Sequence, residues 1–341
     1  MTRSASSTAP FARSLVPEPA GPPGKGPGVP SLSVIVVLYE MYREAPRTLH
    51  TLSTAYQRDI DAEYEVVVLD NGSSRRRRDD EISIFGPQFR YRYVTDPEPS
   101  PASAINAAVG DCQGELIGIC YDGARMLSPG MLSLALRAAT VAENPYLVTL
   151  GWHLGPDVQY RSQANGYDRA AEDRLLDAAG WQGDGYRLFE ISSLAGSNPE
   201  GWFGPIWESP VQFLRRDTFA RIGGFSTEFR TAAGGLLNLD FFREACEAEG
   251  TQPVVLLGEG SFHQLHGAEF NNASRRDHRS KWRAARREYR RVRGRKLAPP
   301  SPRLLYFGSI RGGVQRFATA PPSRRARMRS ALRGLAGGIP S

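Results

Sequence analysis

Lysine is nearly missing from this 341-residue chain. Lys25, Lys281 and Lys296 are the only three, and Arg supplies the other 40 basic side chains. That bias is compositional and assigns no function by itself. Cysteine is scarce as well. Cys112, Cys120 and Cys246 are an odd number without metal-ligand spacing, which excludes a disulfide framework and a thiolate zinc site. They are expected as buried thiols in a reducing cytosol. No apolar run approaches the roughly eighteen residues of a spanning helix. The first thirty residues are rich in Ala, Ser, Pro and Gly and hold no apolar signal-peptide core, so 1–30 reads as a disordered leader. With 40% hydrophobic residues, a real core is expected for the rest.

Each part of the chain is short of charge of one sign. Residues 31–270 hold 20 Arg, no Lys and 33 acids, a net charge of −13. Residues 271–341 hold 18 Arg, two Lys and two acids, a net charge of +18. The overall +7 is therefore the remainder of an acidic body and a basic tail, not a basic surface that wraps nucleic acid.

Strand and helix signals alternate over the first part of the body. Leu32 to Tyr39 is a β-branched apolar run too short for a helix, and reads as a strand buried on both faces. Residues 44–56 have helical spacing. Glu65 to Leu69 is a second buried strand, Tyr91 to Val94 a short one, and Glu115 to Tyr121 another; helices are expected at 102–109 and 129–142. This alternation predicts a mainly parallel, Rossmann-like α/β sheet flanked by helices. Residues 151–210 hold four of the five Trp residues and show weak strand periodicity. Helices are expected at 215–222 and 239–249, a last strand at 253–257, and a basic helix at 274–293; the chain beyond Pro299 reads as extended or loosely attached.

In parallel α/β sheets, ligands bind at the carboxyl ends of strands. Three such ends carry polar groups: Tyr39-Glu40, Asp70-Asn71-Gly72-Ser73 and Asp122-Gly123. A carboxylate there can accept from a ribose hydroxyl or hold a divalent cation against a diphosphate. One such Asp is an ordinary turn residue; three in register are less easily explained that way.

These motifs resemble those of family 2 glycosyltransferases of the GT-A fold. The first strand, Ser33 to Glu40, is similar to that family's S-V-I-I-P-x-Y-N strand. Leu69-Asp70-Asn71-Gly72-Ser73-Ser74 is similar to V-D-D-G-S-S, and Ala104-Ile105-Asn106-Ala107-Ala108 to an N-x-A helix. Gly114 to Ala124 followed by Leu127-Ser128-Pro129 resembles G-E-x-I-x-F-L-D-x-D with L-x-P, and Arg215 to Phe229 the later R-R-x-x-F-x-x-I-G-G-F element. The likeness covers roughly 31–270.

The resemblance implies a nucleotide-sugar-binding half at 31–150, an acceptor-binding half at 151–270, and a basic extension at 271–341. It implies transfer of a sugar, hexosyltransferase-type and inverting, from a nucleotide-diphosphate donor to a carbohydrate or other hydroxyl acceptor. Tyr39, Glu40, Asp70 and Asn106 would hold the nucleotide, and Asp122 would stand at the first acid of D-x-D. The second acid is Ala124 here, which puts a Mg²⁺ or Mn²⁺ requirement in question. His263 and His266 follow the last strand and could complete an Asp122/His metal site. The family's G-E-D-x-D base segment reads Gly234-Gly235-Leu236-Leu237-Asn238-Leu239-Asp240. Asn238 cannot accept a proton, so Asp240 is the first choice as base and Glu208 the second.

Trp202 and Trp207, flanked by Gly201 and Gly204-Pro205, are candidates for an acceptor site; core packing is the alternative. In the basic helix, Trp282, Ala285, Tyr289 and Val292 share one stripe. Docking onto the acidic body is preferred over contact with an anionic membrane or a polyanion. Arg75 to Arg78 reads as a solvated loop. A cytoplasmic enzyme, with possible peripheral contact at the inner membrane face, is the expectation. A non-catalytic binding module that has lost the second metal acid and the base is the alternative. A nucleotidyltransferase is disfavoured, because no Gly-rich, Lys-containing loop follows the first strand.

Overall fold

The structure is a computed structural model that describes residues 31–266 and 275–318. The expected leader and the end of the basic tail lie outside the described residues. The fold is mixed α/β, with one ten-stranded sheet flanked by helices. The strands are β1 (Leu32–Leu38), β2 (Tyr64–Asp70), β3 (Phe89–Tyr93), β4 (Leu116–Cys120), β5 (Arg125–Leu127), β6 (Pro145–Leu154), β7 (Ser192–Leu194), β8 (Val211–Arg215), β9 (Gln252–His263) and β10 (Leu305–Gly308). The helices are α1 (Ala45–His50), α2 (Asp79–Ser83), α3 (Ala102–Asp111), α4 (Met131–Ala138), α5 (Gln159–Ala164), α6 (Arg169–Ala179), α7 (Arg216–Ile222), α8 (Leu237–Glu247) and α9 (Arg275–Arg293).

The order across the sheet is β10-β9-β6-β8-β4-β1-β2-β3. Along this path only β8 runs antiparallel to its neighbours. The short β5 and β7 pair antiparallel with β9 and β6. Successive side chains of β1 and β2 enter opposite layers. Val34, Val36, Val66 and Val68 pack into one core; Ile35, Val37, Val67 and Leu69 pack into the other. Each such buried side chain contributes about 1.5–3 kcal/mol of burial, which is why β1 and β2 read as continuous apolar runs.

β9 continues beyond the expected 253–257. Val255 pairs with Val148 of β6, and Gly260 pairs with Leu150, so β9 bulges between. Gly258 sits in the bulge at φ 79, where a Cβ would meet the Ser309 carbonyl oxygen at 2.0 Å. Gly258-Glu259-Gly260 looks like the end of a strand in the sequence. In the structure it is a bulge that lets β9 run on to His263.

The basic helix docks on the body, as preferred from its stripe. Ala285 and Tyr289 are buried, and Trp282 and Val292 pack against the same core. Arg293 grips Asp240 with two hydrogen bonds, Nε to Oδ1 at 2.7 Å and Nη2 to Oδ2 at 2.5 Å. The expectation for the chain beyond Pro299 needs correction over the described part. β10 pairs with β9, and Phe317 enters the core 5.5 Å from the Trp152 ring. Its short apolar run is an edge strand, which carries little periodic signal.

Candidate functional site

β1, β2 and β4 are parallel neighbours, so their carboxyl ends fall along one edge. Tyr39, just past β1, is 57% exposed and keeps an open ring face. Glu40 follows with φ 55, a strained value for a non-glycine residue. Its amide donates to Ser73 Oγ at 2.9 Å, and its carboxylate accepts from the Ser74 amide and hydroxyl at 2.5 and 3.1 Å. Asp70 is buried. Its Oδ1 accepts from the Ser73 amide at 2.8 Å and its Oδ2 from the Tyr91 hydroxyl at 2.9 Å. Asp70 thus shapes the turn, with both oxygens engaged. Asn106 clamps Phe225 through two hydrogen bonds, to its carbonyl at 2.8 Å and from its amide at 2.9 Å, so its amide group fixes α3 to the loop after α7.

The arginine run is not simply a solvated loop. Arg77 is buried and donates to the Met41 carbonyl at 2.9 Å. Arg75 and Arg77 lie 4.8 and 5.5 Å from the Tyr42 ring, and Arg76 lies 5.5 Å from that of Tyr93. Tyrosine faces hold these cations against the same edge.

Asp122, two residues past β4, meets the end of β9. His263 Nε2 lies 2.7 Å from Asp122 Oδ2, His266 Nε2 lies 3.4 Å from it, and the two imidazole nitrogens are 3.0 Å apart. The other carboxylate oxygen, Oδ1, accepts from the Ala124 amide at 3.0 Å. The surroundings fix this geometry. Gln159 of α5 donates to the Gln264 carbonyl at 2.8 Å, so its Oε1, 2.9 Å from His263 Nδ1, is the acceptor there. Nδ1 therefore carries hydrogen. Glu172 accepts from the Leu265 amide at 2.7 Å and pairs with Arg43 at 3.2 Å, while Gln264 donates to the Glu44 carbonyl at 3.0 Å. These bonds pin the turn between the two histidines.

Burial, aided by the Arg125 charge, outweighs Asp122 and pulls His263 down to about 4. With hydrogen on Nδ1, Nε2 is the ring nitrogen turned to Asp122 and His266. Burial also disfavours charge on His266, but Asp122 outweighs it and raises that imidazole. Burial would raise the Asp122 carboxyl, yet the two imidazoles hold it well below its ordinary range. Asp122, His263 and His266 each offer one ligand atom, all within 4.8 Å of one another, so one divalent cation could bridge all three. The residues present fit a metal.

The two candidate bases part company. Asp240 is buried with both oxygens taken by Arg293. Burial raises its carboxyl, only partly offset by that guanidinium. Glu208 is half-buried, and Asn238 donates to its Oε2 at 3.2 Å. Burial, then Asp122 and Glu208, push the Tyr121 hydroxyl up. Asn238, at the position where the resemblance implies a base, orients Glu208 instead. Trp202 is fully buried and donates to the Leu256 carbonyl at 3.1 Å. Trp207 is 5% exposed. Neither presents an open face for a sugar ring; the Gly-rich flanks let the chain fold these rings inward. Gln159, Glu172 and Arg125 escaped the sequence reading. Gln159 is 104 residues from the histidine it orients, so no local signal marks it.

An α/β sheet with an Asp/His cluster at its strand ends is the class that fold and site define. No family model matches the chain, and no curated protein matches it. Solved structures do. TarS of S. aureus is similar at 15% identity and a TM-score of 0.43, over 76% of this chain and 40% of that one. TarS 1-349 in complex with UDP-GlcNAc is similar at 16% and 0.44, over 76% and 66%. The mannosyltransferase PcManGT from Pyrobaculum calidifontis, in complex with GDP-Man and Mn²⁺, is similar at 16% and 0.42, over 92% and 76%. The chain thus spans 40% of the length of TarS. All three TM-scores are under 0.5, so they assign neither family nor activity. Among the described residues, no helix is long and apolar enough to cross a membrane.

Proposed function

We propose that the protein is a glycosyltransferase of the family 2 type that moves a sugar from a nucleotide-diphosphate donor to an acceptor hydroxyl. The convergence of Asp122, His263 and His266 at the strand ends carries this reading. A cation held there would neutralise charge on the leaving diphosphate. Two imidazoles and one carboxylate favour a first-row transition ion over Mg²⁺, which answers the loss of the second acid at Ala124. Tyr39 offers a face to the nucleotide base, and Glu40 and the Asp70 turn shape the pocket beside it. Glu208, oriented by Asn238, is the proposed base that accepts the acceptor's proton, and inversion at the anomeric carbon follows from attack opposite the diphosphate. Asp240 is proposed as the anchor of α9. A thermal-shift screen of UDP and GDP, with and without Mn²⁺, tests the reading. Metal-enhanced stabilisation by at least one nucleotide supports it; no shift with any nucleotide contradicts it.

A second, compatible reading concerns location. Arg283, Arg287, Arg290 and Arg291 are exposed on α9, opposite its buried stripe. We propose that this cationic face rests on an anionic membrane surface at the cytoplasmic side. Sedimentation with anionic vesicles, lost at high salt, is the expected result; equal sedimentation with neutral vesicles contradicts it.

A further inference from the structure

Arg125 opens β5, three residues after Asp122. It pairs directly with His263 of β9, which pairs in turn with His153 of β6. Directly opposite residues project to the same face of a sheet, so Arg125, His263 and His153 form one row across three strands. Room for the guanidinium is left by Gly151, where a Cβ would lie 3.3 Å from Arg125 Nη1.

The guanidinium lacks an acceptor. Its Nε and Nη1 are closed off from water and make no hydrogen bond among the described residues. Asp122, the acid of the same loop, is engaged elsewhere: its Oδ1 accepts from the Ala124 amide and its Oδ2 faces the two histidines. An arginine cannot shed its charge to escape this situation. Arg125 as a whole is half-buried, but two guanidinium nitrogens sealed from water without an acceptor are costly, and they are tolerated where something else supplies an anion to the group.

We infer that Arg125 is an anion-binding residue of the donor pocket, and that it grips the diphosphate beside the metal ligands. The inference rests on the donor reading above for the identity of its anion. It gives a physical sense to the Asp122-Gly123-Ala124-Arg125 loop. Where a second acid would bring in another share of metal charge, the chain has an alanine followed by a fixed cation. A permanent guanidinium then holds part of the diphosphate charge even when no divalent ion is present. Nη2, the one guanidinium nitrogen not closed off, is the atom that would meet a phosphate oxygen.

The test uses inorganic pyrophosphate, UDP and GDP, titrated calorimetrically into the full chain with EDTA and with Mn²⁺. Wild-type protein is expected to bind pyrophosphate in EDTA. Arg125→Met and Arg125→Gln are expected to lose about 10- to 100-fold in affinity, the range of a charge-assisted contact, while Arg125→Lys keeps part of it. Because the lost cation had no internal partner, the unliganded melting temperature of Arg125→Met should be unchanged or higher. Pyrophosphate binding that depends on Arg125, without binding of either nucleotide, would sink the donor reading but leave the anion site standing. No pyrophosphate binding by the wild type, equal affinity in Arg125→Met, or a lower unliganded melting temperature with affinity intact would each overturn the inference.

Discussion

Two carboxylates are candidates for the proposed base, and their neighbours separate them. Asp240 is fixed by Arg293 on both oxygens. Removing one partner of such a pair leaves an uncompensated charge, at a cost of about 3 kcal/mol where one partner is half-exposed. Asp240→Asn is therefore expected to lower the melting temperature while leaving kcat of the folded enzyme nearly intact. Glu208→Gln should do the reverse, with stability kept and kcat down by about a hundredfold or more. Glycosyl-transfer kinetics beside thermal melts check both; equal loss of kcat in the two variants would refute the assignment. Glu65 offers a test by pH. Burial would raise its carboxyl, but the Gln113 amide, Ser33 and Arg90 outweigh it and lower it from 4.5. Its stabilisation is whole above that value and fades as the pH falls below it. Glu65→Gln should be less stable than wild type near neutrality, and the difference should shrink between about pH 5 and pH 3 in melts across that range.

At the level of elements, local pattern governs what could be read in advance. β1, β2 and β4 are apolar runs ending in polar turns, and their ends hold the residues that the motifs single out. β6 is buried on nearly all positions and carries Pro145 and Gly151, so it shows neither alternation nor a clean end. β8 passes straight into α7 at Arg215-Arg216, which hides the strand beneath a helical pattern. The histidines of the site were visible as a pair, but the bulge that delivers His263 to Asp122 was not, because Gly258 and Gly260 read as a terminator. Asn106 and Asp70 were visible for their type and position; that their polar atoms are engaged within the fold depends on partners distant in sequence. α9 was legible from its stripe, and it makes a prediction of its own. Tyr289 is fully buried against Phe229, with ring centroids 6.1 Å apart. Tyr289→Ala should cost about 3–5 kcal/mol, as aromatic truncations in cores do. Denaturant unfolding measures this, and a loss below about 1 kcal/mol would mean that α9 is only loosely held.

Across the whole molecule, the acidic body and basic tail become parts of one arrangement. Cations of the tail meet acids of the body: Arg293 pairs with Asp240, and Arg295 with Glu244 and Glu247. The carboxyl edge of the sheet gathers the Asp122 cluster, the tyrosine-held arginines and Arg125, so cations sit locally where an acidic body would otherwise repel a diphosphate. We propose that this edge binds a divalent ion together with a nucleotide diphosphate. Its most direct test is calorimetric titration of Mn²⁺ into the protein with and without UDP or GDP, in wild type and Asp122→Asn. One Mn²⁺ per chain is expected, bound more tightly with a nucleotide present and lost in Asp122→Asn. Absence of nucleotide-enhanced Mn²⁺ binding in the wild type, or its survival in Asp122→Asn, would contradict it.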